Sequence, residues 1–153
     1  MKRTDYITPD ELFMGIAKLA SKRSKDPRTR CGACIANDMH RVVSVGYNGF
    51  PRGCSDDEFS WEREEKHKYV IHAEENAILN ATQSLEGCIL YIYSDRGFYP
   101  CRECAKIILQ MGIKEVVLCW IADDLPERYA LSEATDKMFK AGGVKVRVME
   151  NCT

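Results

Sequence analysis

Two short motifs constrain this chain more than anything else in it, because they require distant segments to meet at one point. His72-Ala73-Glu74 and Pro100-Cys101-Arg102-Glu103-Cys104 are well separated, yet one His nitrogen and two thiolates form a useful set only around one ion. That set suits Zn2+, which takes four ligands of this kind, with the fourth position left open for water. Two thiolate charges balance the dication, so such a water is polarised without a strongly charged site. Zinc lowers the pKa of water towards roughly 7, which makes hydroxide available at neutral pH. Glu74, two residues past the His, is then the proton carrier: it takes the water proton and hands it to the reacting nitrogen and the leaving group. A closed structural zinc knuckle would need a fourth Cys or His beside these three, and neither motif contains one.

Periodicity places each motif at the head of a helix. After His72, Ala73, Ala77, Ile78 and Ala81 recur at helical spacing, and after Cys101 so do Ala105, Ile108 and Leu109. Pro100 suits a helix start, thiolates in the first turn of a helix over 101–111 gain from its dipole, and Cys101 and Cys104 share one face. Upstream, Thr8-Pro9-Asp10-Glu11 is a capping box, with Leu12, Phe13, Ile16, Ala17 and Leu19 as the expected buried face. Segments 33–36 and 42–47 flank a hairpin turn at 37–40, and 48–57 is rich in turn residues. Strands are expected over 89–93, 116–120 and 144–148; Gly112 closes the cysteine helix, and Gly142-Gly143 stops a helix over 131–141. This order predicts one α/β domain over residues 1–153, a mixed five-stranded sheet flanked by helices.

Composition narrows the classes. A chain of 153 residues is long enough to bury roughly two-thirds of its unfolded surface. With 22 Lys+Arg against 23 Asp+Glu, nothing attracts nucleic acid globally, so no nucleic-acid partner is expected. Eight cysteines could indicate a disulfide scaffold, but the N-terminus is not signal-like, two are assigned to zinc, and Cys34, Cys88 and Cys119 fall in apolar strand-like runs. Reduced thiols and a cytoplasmic location are therefore expected. The apolar run 116–122 is too short to span a bilayer, so no membrane segment is expected.

Beyond the zinc residues, Arg23-Ser24-Lys25-Asp26-Pro27, then Gly46-Tyr47-Asn48-Gly49-Phe50-Pro51, Gly53-Cys54-Ser55-Asp56-Asp57, His72-Ala73-Glu74 and Pro100-Cys101-Arg102-Glu103-Cys104-Ala105-Lys106 stand in a telling order. The chain resembles the deoxycytidylate deaminases of the cytidine deaminase superfamily, whose zinc members share H-x-E with P-C-x-x-C. The resemblance implies a cytidine deaminase-like three-layer fold and hydrolytic conversion of dCMP to dUMP with release of ammonia, supplying dUMP for thymidylate synthesis. It also implies one catalytic Zn2+, a homohexamer, activation by dCTP and inhibition by dTTP, with Mg2+ accompanying a triphosphate effector.

Candidate substrate-binding residues are Asn48, Arg23, Ser24, Lys25, Ala73 and Tyr99. Lys22, Arg23, Lys25, Arg28 and Arg30 make a local positive patch suited to a phosphate, although such charges also complement a helix C-terminus in solvent. Asn48 could offer its amide to a sugar hydroxyl or simply serve a turn. Gly49, Gly53 and Asp56 resemble the effector loop of regulated members; the alternative is an ordinary Gly/Pro loop. Cys31, Cys54 and His67 lack metal-ligand spacing. Trp61, Phe59 and Tyr69 read as core or subunit contact. Residues 94–99 form a longer connection than the family's usual step into Pro-Cys, and Arg96 or Tyr99 is expected to touch the nucleotide or a neighbouring subunit. A nucleic-acid deaminase would share the zinc chemistry but needs a surface for a polyanion, and a free-nucleoside or other small-heterocycle deaminase would need no phosphate pocket.

Overall fold

A strand with apolar residues on both faces needs a covering layer on each side. The computed structural model, which describes residues 1–97, 99–120 and 132–152, meets that need with a sheet between two helical layers. The chain runs α1 (Pro9–Ser21), β1 (Cys31–Ala36), β2 (Val42–Tyr47), α2 (Arg63–Lys66), α3 (Ala73–Asn80), β3 (Ile89–Ser94), α4 (Arg102–Gln110), β4 (Glu115–Trp120), α5 (Glu133–Gly142) and β5 (Lys145–Val148). The strands lie in the order β2-β1-β3-β4-β5. β1 is antiparallel to both β2 and β3, whereas β3, β4 and β5 are parallel. The mixed five-stranded α/β architecture expected from the sequence is what forms.

Side chains alternate between the two layers. Ile35, Leu90, Ile92, Val116 and Leu118 pack with Ala77 of α3, Ile108 of α4 and Phe139 of α5. Cys34, Tyr91, Tyr93, Val117 and Cys119 pack with Phe13, Met14 and Ala17 of α1. Two glycines let the helices come close. A Cβ on Gly32 would lie 1.8 Å from the Ala17 carbonyl of α1, and one on Gly46 would lie 2.4 Å from the Ala77 nitrogen of α3. β2 is an edge strand, and α3 is stitched onto it: Asn76 donates to the Tyr47 carbonyl (2.7 Å), Asn80 to that of Val45 (3.1 Å), and Ser44 Oγ to that of Ala77 (2.6 Å).

The structure corrects several expectations. The capping box at Thr8 and Glu11 forms, but α1 buries Phe13, Met14, Ala17 and Ala20, while Leu12 and Leu19 are 44% and 67% exposed. The small Ala17–Ala20 arc is the one that can press against Gly32, which leaves Leu12 and Leu19 on the far side. Cys34 and Cys88 are free, buried thiols, but Cys119 is joined to Cys152 by a disulfide with Cα atoms 6.1 Å apart. The expectation of reduced thiols fails there because the segment after β5 continues alongside β4, with Met149 N–H donating to the Leu118 carbonyl (2.8 Å). The helix expected over 131–141 is α5, capped by Ser132 and ended by Gly143 at φ 72°; Leu131 and the last two residues of the 116–122 run lie outside the described residues. No described helix is long and apolar enough to cross a membrane.

Candidate active site

Two helix starts converge at one end of the sheet. His72 is the N-cap of α3 and Cys101 the N-cap of α4. Cys104 N–H donates to Cys101 Sγ (3.4 Å), so the backbone that would be unpaired at a helix start turns towards the sulfur. Pro100 is held from outside: Thr135 Oγ1 of α5 donates to its carbonyl (3.2 Å). His72 Nδ1 then stands 3.4 Å from Cys104 Sγ and 3.6 Å from Cys101 Sγ. Among the described residues, these three form the only grouping of His, Cys or carboxylate ligands close enough to hold one metal ion.

That geometry can be compared with zinc. Zn–S of about 2.3 Å and Zn–N of about 2.05 Å at a tetrahedral angle put S and N roughly 3.6 Å apart. The observed separations match, and the donor set is the one zinc favours, so these residues fit the metal.

The same groups hold protons that a bound metal would displace. The Cys101 thiol is pushed down to about 3, first by its hydrogen bond with Cys104 and then by His72. Cys104 is the protonated partner, pushed well up by Cys101. His72 is raised to about 9, chiefly by its hydrogen bond with Cys101. Glu74, in the first turn of α3, is buried, and burial raises its carboxyl. A carboxylate with reduced preference for charge is suited to taking a proton and giving it back.

His72, Glu74 and Cys101 line a cavity of about 310 Å³, within the range of small-molecule sites. Ala73, Ile92, Val70 and Pro100 supply apolar wall, with Tyr99 beside them. Burial pushes the Cys31 thiol, also in the wall, up to about 12, so it stays neutral. Asn48 is buried in the lining with its amide fixed at both ends: Nδ2 donates to the Thr29 carbonyl (2.9 Å), and Oδ1 accepts from Cys31 N–H (2.9 Å). One amide hydrogen and one lone pair remain for a ligand.

The structure thus brings together His72, Cys101, Cys104, Glu74, Asn48, Ala73 and Tyr99. It does not bring Arg23, Ser24 and Lys25 into the lining. Arg23 lies over the Tyr47 ring (6.0 Å), Ser24 Oγ accepts from Asp26 N–H (3.3 Å), and Lys25 pairs with Asp56 (2.5 Å). Asp56 also accepts from Trp61 Nε1 (3.0 Å), Gly49 pairs with Ile71, and Gly53 turns at φ 90°. Trp61 stacks on Phe50, and Phe59 packs edge-on to Tyr69. In the long connection, Arg96 Nε donates to the Arg28 carbonyl (2.9 Å), Asp95 pairs with Arg30 (2.9 Å), and Tyr99 meets Trp120 edge-on. Sequence reasoning gave no role to Asp26, Thr29 and Lys66, which also line the cavity. Asp26 stands in the Arg23–Pro27 motif of the resemblance, whereas no local pattern marks Thr29 or Lys66.

Residues 7–120 match the family model described as cytidine and deoxycytidylate deaminase zinc-binding region. A deoxycytidylate deaminase of Mus musculus is 43% identical, covering 95% of this chain and 82% of that protein. Two crystal structures of dCMP deaminase from the cyanophage S-TIM5 are 25% identical and cover 94% of this chain and 100% of theirs: the apo form has a TM-score of 0.69 and the complex with dCMP and dUMP 0.67.

Proposed function

Because the chain belongs to the cytidine and deoxycytidylate deaminase family, we propose that it deaminates dCMP hydrolytically, giving dUMP and ammonia. The observation that carries this reading is the meeting of His72, Cys101 and Cys104 with buried Glu74 on the cavity that also holds Asn48. Support comes from mouse deoxycytidylate deaminase and from the phage enzyme that holds dCMP and dUMP on the same fold.

His72, Cys101 and Cys104 would hold the zinc. When bound, zinc is a Lewis acid that makes hydroxide available near neutral pH. Ala73, Ile92 and Pro100 exclude bulk water and give the cytosine ring an apolar slot, in which charge transfer is felt more strongly. Asn48 uses its free amide hydrogen or lone pair to orient the sugar. Glu74 takes one proton of the attacking water and passes it to ring N3, then takes the second from the new C4 hydroxyl and delivers it to the departing 4-amino group. One water is consumed and one ammonia released, and Glu74 ends as it began.

The phosphate is assigned to the cationic segment 23–30, which reaches the cavity at Asp26 and Thr29. Regulation by dCTP and dTTP at Gly49, Gly53 and Asp56, with Mg2+ on the triphosphate, belongs to the same reading. So does a homohexamer, for which the exposed Leu12 and Leu19 offer apolar surface.

Ammonia release from dCMP by the zinc-loaded protein tests the proposal, with cytidine, deoxycytidine and dCTP assayed in parallel. Preference for the monophosphate is expected. Turnover of the nucleosides at an equal or better rate would overturn the substrate assignment.

A further inference from the structure

The cavity borders on a buried ion pair that the deamination chemistry does not use. Lys66 Nζ lies 2.9 and 2.7 Å from the two Asp26 carboxylate oxygens, and their side chains are 6% and 3% exposed. Taking two ions out of water costs several kcal/mol each, and such a pair rarely stabilises a fold better than apolar residues of the same size. Here the lysine ends α2, a four-residue helix in which it alone is buried. Its place next to a ligand cavity therefore calls for a reason other than stability.

The hydrogen bonds supply one. Asp26 Oδ1 also accepts the N–H groups of Arg28 (2.8 Å) and Thr29 (3.1 Å), which fixes the turn leading into β1. The Thr29 carbonyl accepts Asn48 Nδ2, Cys31 N–H donates to Asn48 Oδ1, and Asn48 N–H donates to the Cys31 carbonyl (3.3 Å). An unbroken path thus leads from the ammonium to the Asn48 amide. We propose that Lys66 is a positioning residue: through Asp26 it sets the 26–31 segment, and that segment aims Asn48 into the cavity. The inference rests on the ligand-facing role given to Asn48 above. The path does not touch His72, Glu74, Cys101 or Cys104, so Lys66 governs how tightly the substrate is held rather than how fast its proton moves.

Three variants of the zinc-loaded chain test this: Lys66→Met, Asp26→Ala, and the double variant Asp26→Asn with Lys66→Met. Lys66→Met leaves the Asp26 charge buried and unpaired; KM for dCMP is expected to rise on the order of tenfold, the equivalent of about one lost hydrogen bond, with kcat and zinc content nearly unchanged. The double variant removes both charges and keeps an oxygen at position 26 for the Arg28 and Thr29 N–H groups, so KM returns most of the way. A Lys66→Met protein with unchanged KM, or with kcat lowered at constant KM, overturns the proposal. So does a folded double variant as defective as the single one, since the ammonium would then act on the ligand directly. A readout free of turnover keeps the test valid if the wild type does not accept dCMP or if Lys66→Met does not fold. By NMR, one Asn48 side-chain amide hydrogen is expected to be protected from exchange in the wild type and the double variant and to lose protection in Asp26→Ala; equal protection in all three contradicts the path.

Discussion

Gly46 of β2 leaves no room for a Cβ against α3, so Gly46→Ala should disturb the site without touching it. The new Cβ would stand 2.4 Å from Ala77 N, 2.7 Å from the Ala73 carbonyl oxygen and 2.9 Å from Ala77 Cα, where ordinary contact begins at 3.4 Å. All three atoms are α3 backbone, so no side-chain rotation relieves the clash. α3 must withdraw from β2 by about 1 Å, straining the bonds from Ser44, Asn76 and Asn80. Overpacking of this kind costs roughly 1–3 kcal/mol. His72 caps that helix and Glu74 lies in its first turn, and a displacement of about 1 Å at a reacting group can cost on the order of 100-fold in rate. Urea unfolding and kcat with dCMP measure the two effects on one preparation. Gly15→Ala is the control: nothing lies within 4 Å of its Cβ, and it should stabilise α1 by about 0.5–1 kcal/mol with kcat unchanged. A Gly46→Ala protein with the wild-type urea midpoint and kcat would show that α3 is not seated on β2 in this way.

Asp10 accepts from Arg147 (2.9 and 3.2 Å) and from the Tyr91 hydroxyl (2.6 Å), and Arg147 is the chief reason its carboxyl is held below the usual range. Stability from a depressed carboxylate is complete above the unfolded value near 3.9 and is lost as pH falls through the folded one. Asp10→Asn should therefore cost about 0.5–1 kcal/mol at pH 7, with the difference narrowing below about pH 4 in thermal unfolding; a cost independent of pH would contradict this. The Cys119–Cys152 bridge, at a sequence separation of 33, should contribute about 3–4 kcal/mol. Cys119→Ser should lose that amount without reductant and nothing with it, and detection of both thiols free in the unreduced protein would exclude the bridge. Chelation should abolish turnover and added Zn2+ restore it, whereas Cys101→Ser should fail to retain zinc by metal analysis; full activity in a metal-free sample would overturn the ligand assignment.

What the sequence disclosed and what it withheld divide along the range of the interactions. Cap, ligand and proton carrier stand within a helical turn of one another at His72-Ala73-Glu74 and Cys101–Cys104, so local spacing alone carried them into the structure. The same holds for the capping box of α1 and the hairpin between β1 and β2. Leu12 and Leu19 misled because apolarity at helical spacing marks two faces of α1, and only contact with Gly32 chooses the side of Ala17 and Ala20. Cys119 sits in a strand as expected, but its partner comes from a segment beyond β5, which no local pattern joins to it. Lys25, singled out on local charge, pairs with Asp56 outside the cavity lining. Asp26 and Lys66 meet across 40 positions, a contact that only the folded loops create. The strand order likewise depends on which helix covers which face, and alternation of side chains does not encode that.

The central claim is that Glu74 moves the proton while His72, Cys101 and Cys104 hold the metal, and Glu74→Gln tests it most directly. Zinc per chain and ammonia release from dCMP are measured on the same sample. Gln keeps the size of the side chain and cannot accept the proton, so zinc content is expected to match the wild type while turnover falls by at least about 100-fold, the lower range for a lost acid–base group. Wild-type turnover with zinc bound would contradict the account, and loss of zinc would make Glu74 a support of the metal rather than the carrier of the proton.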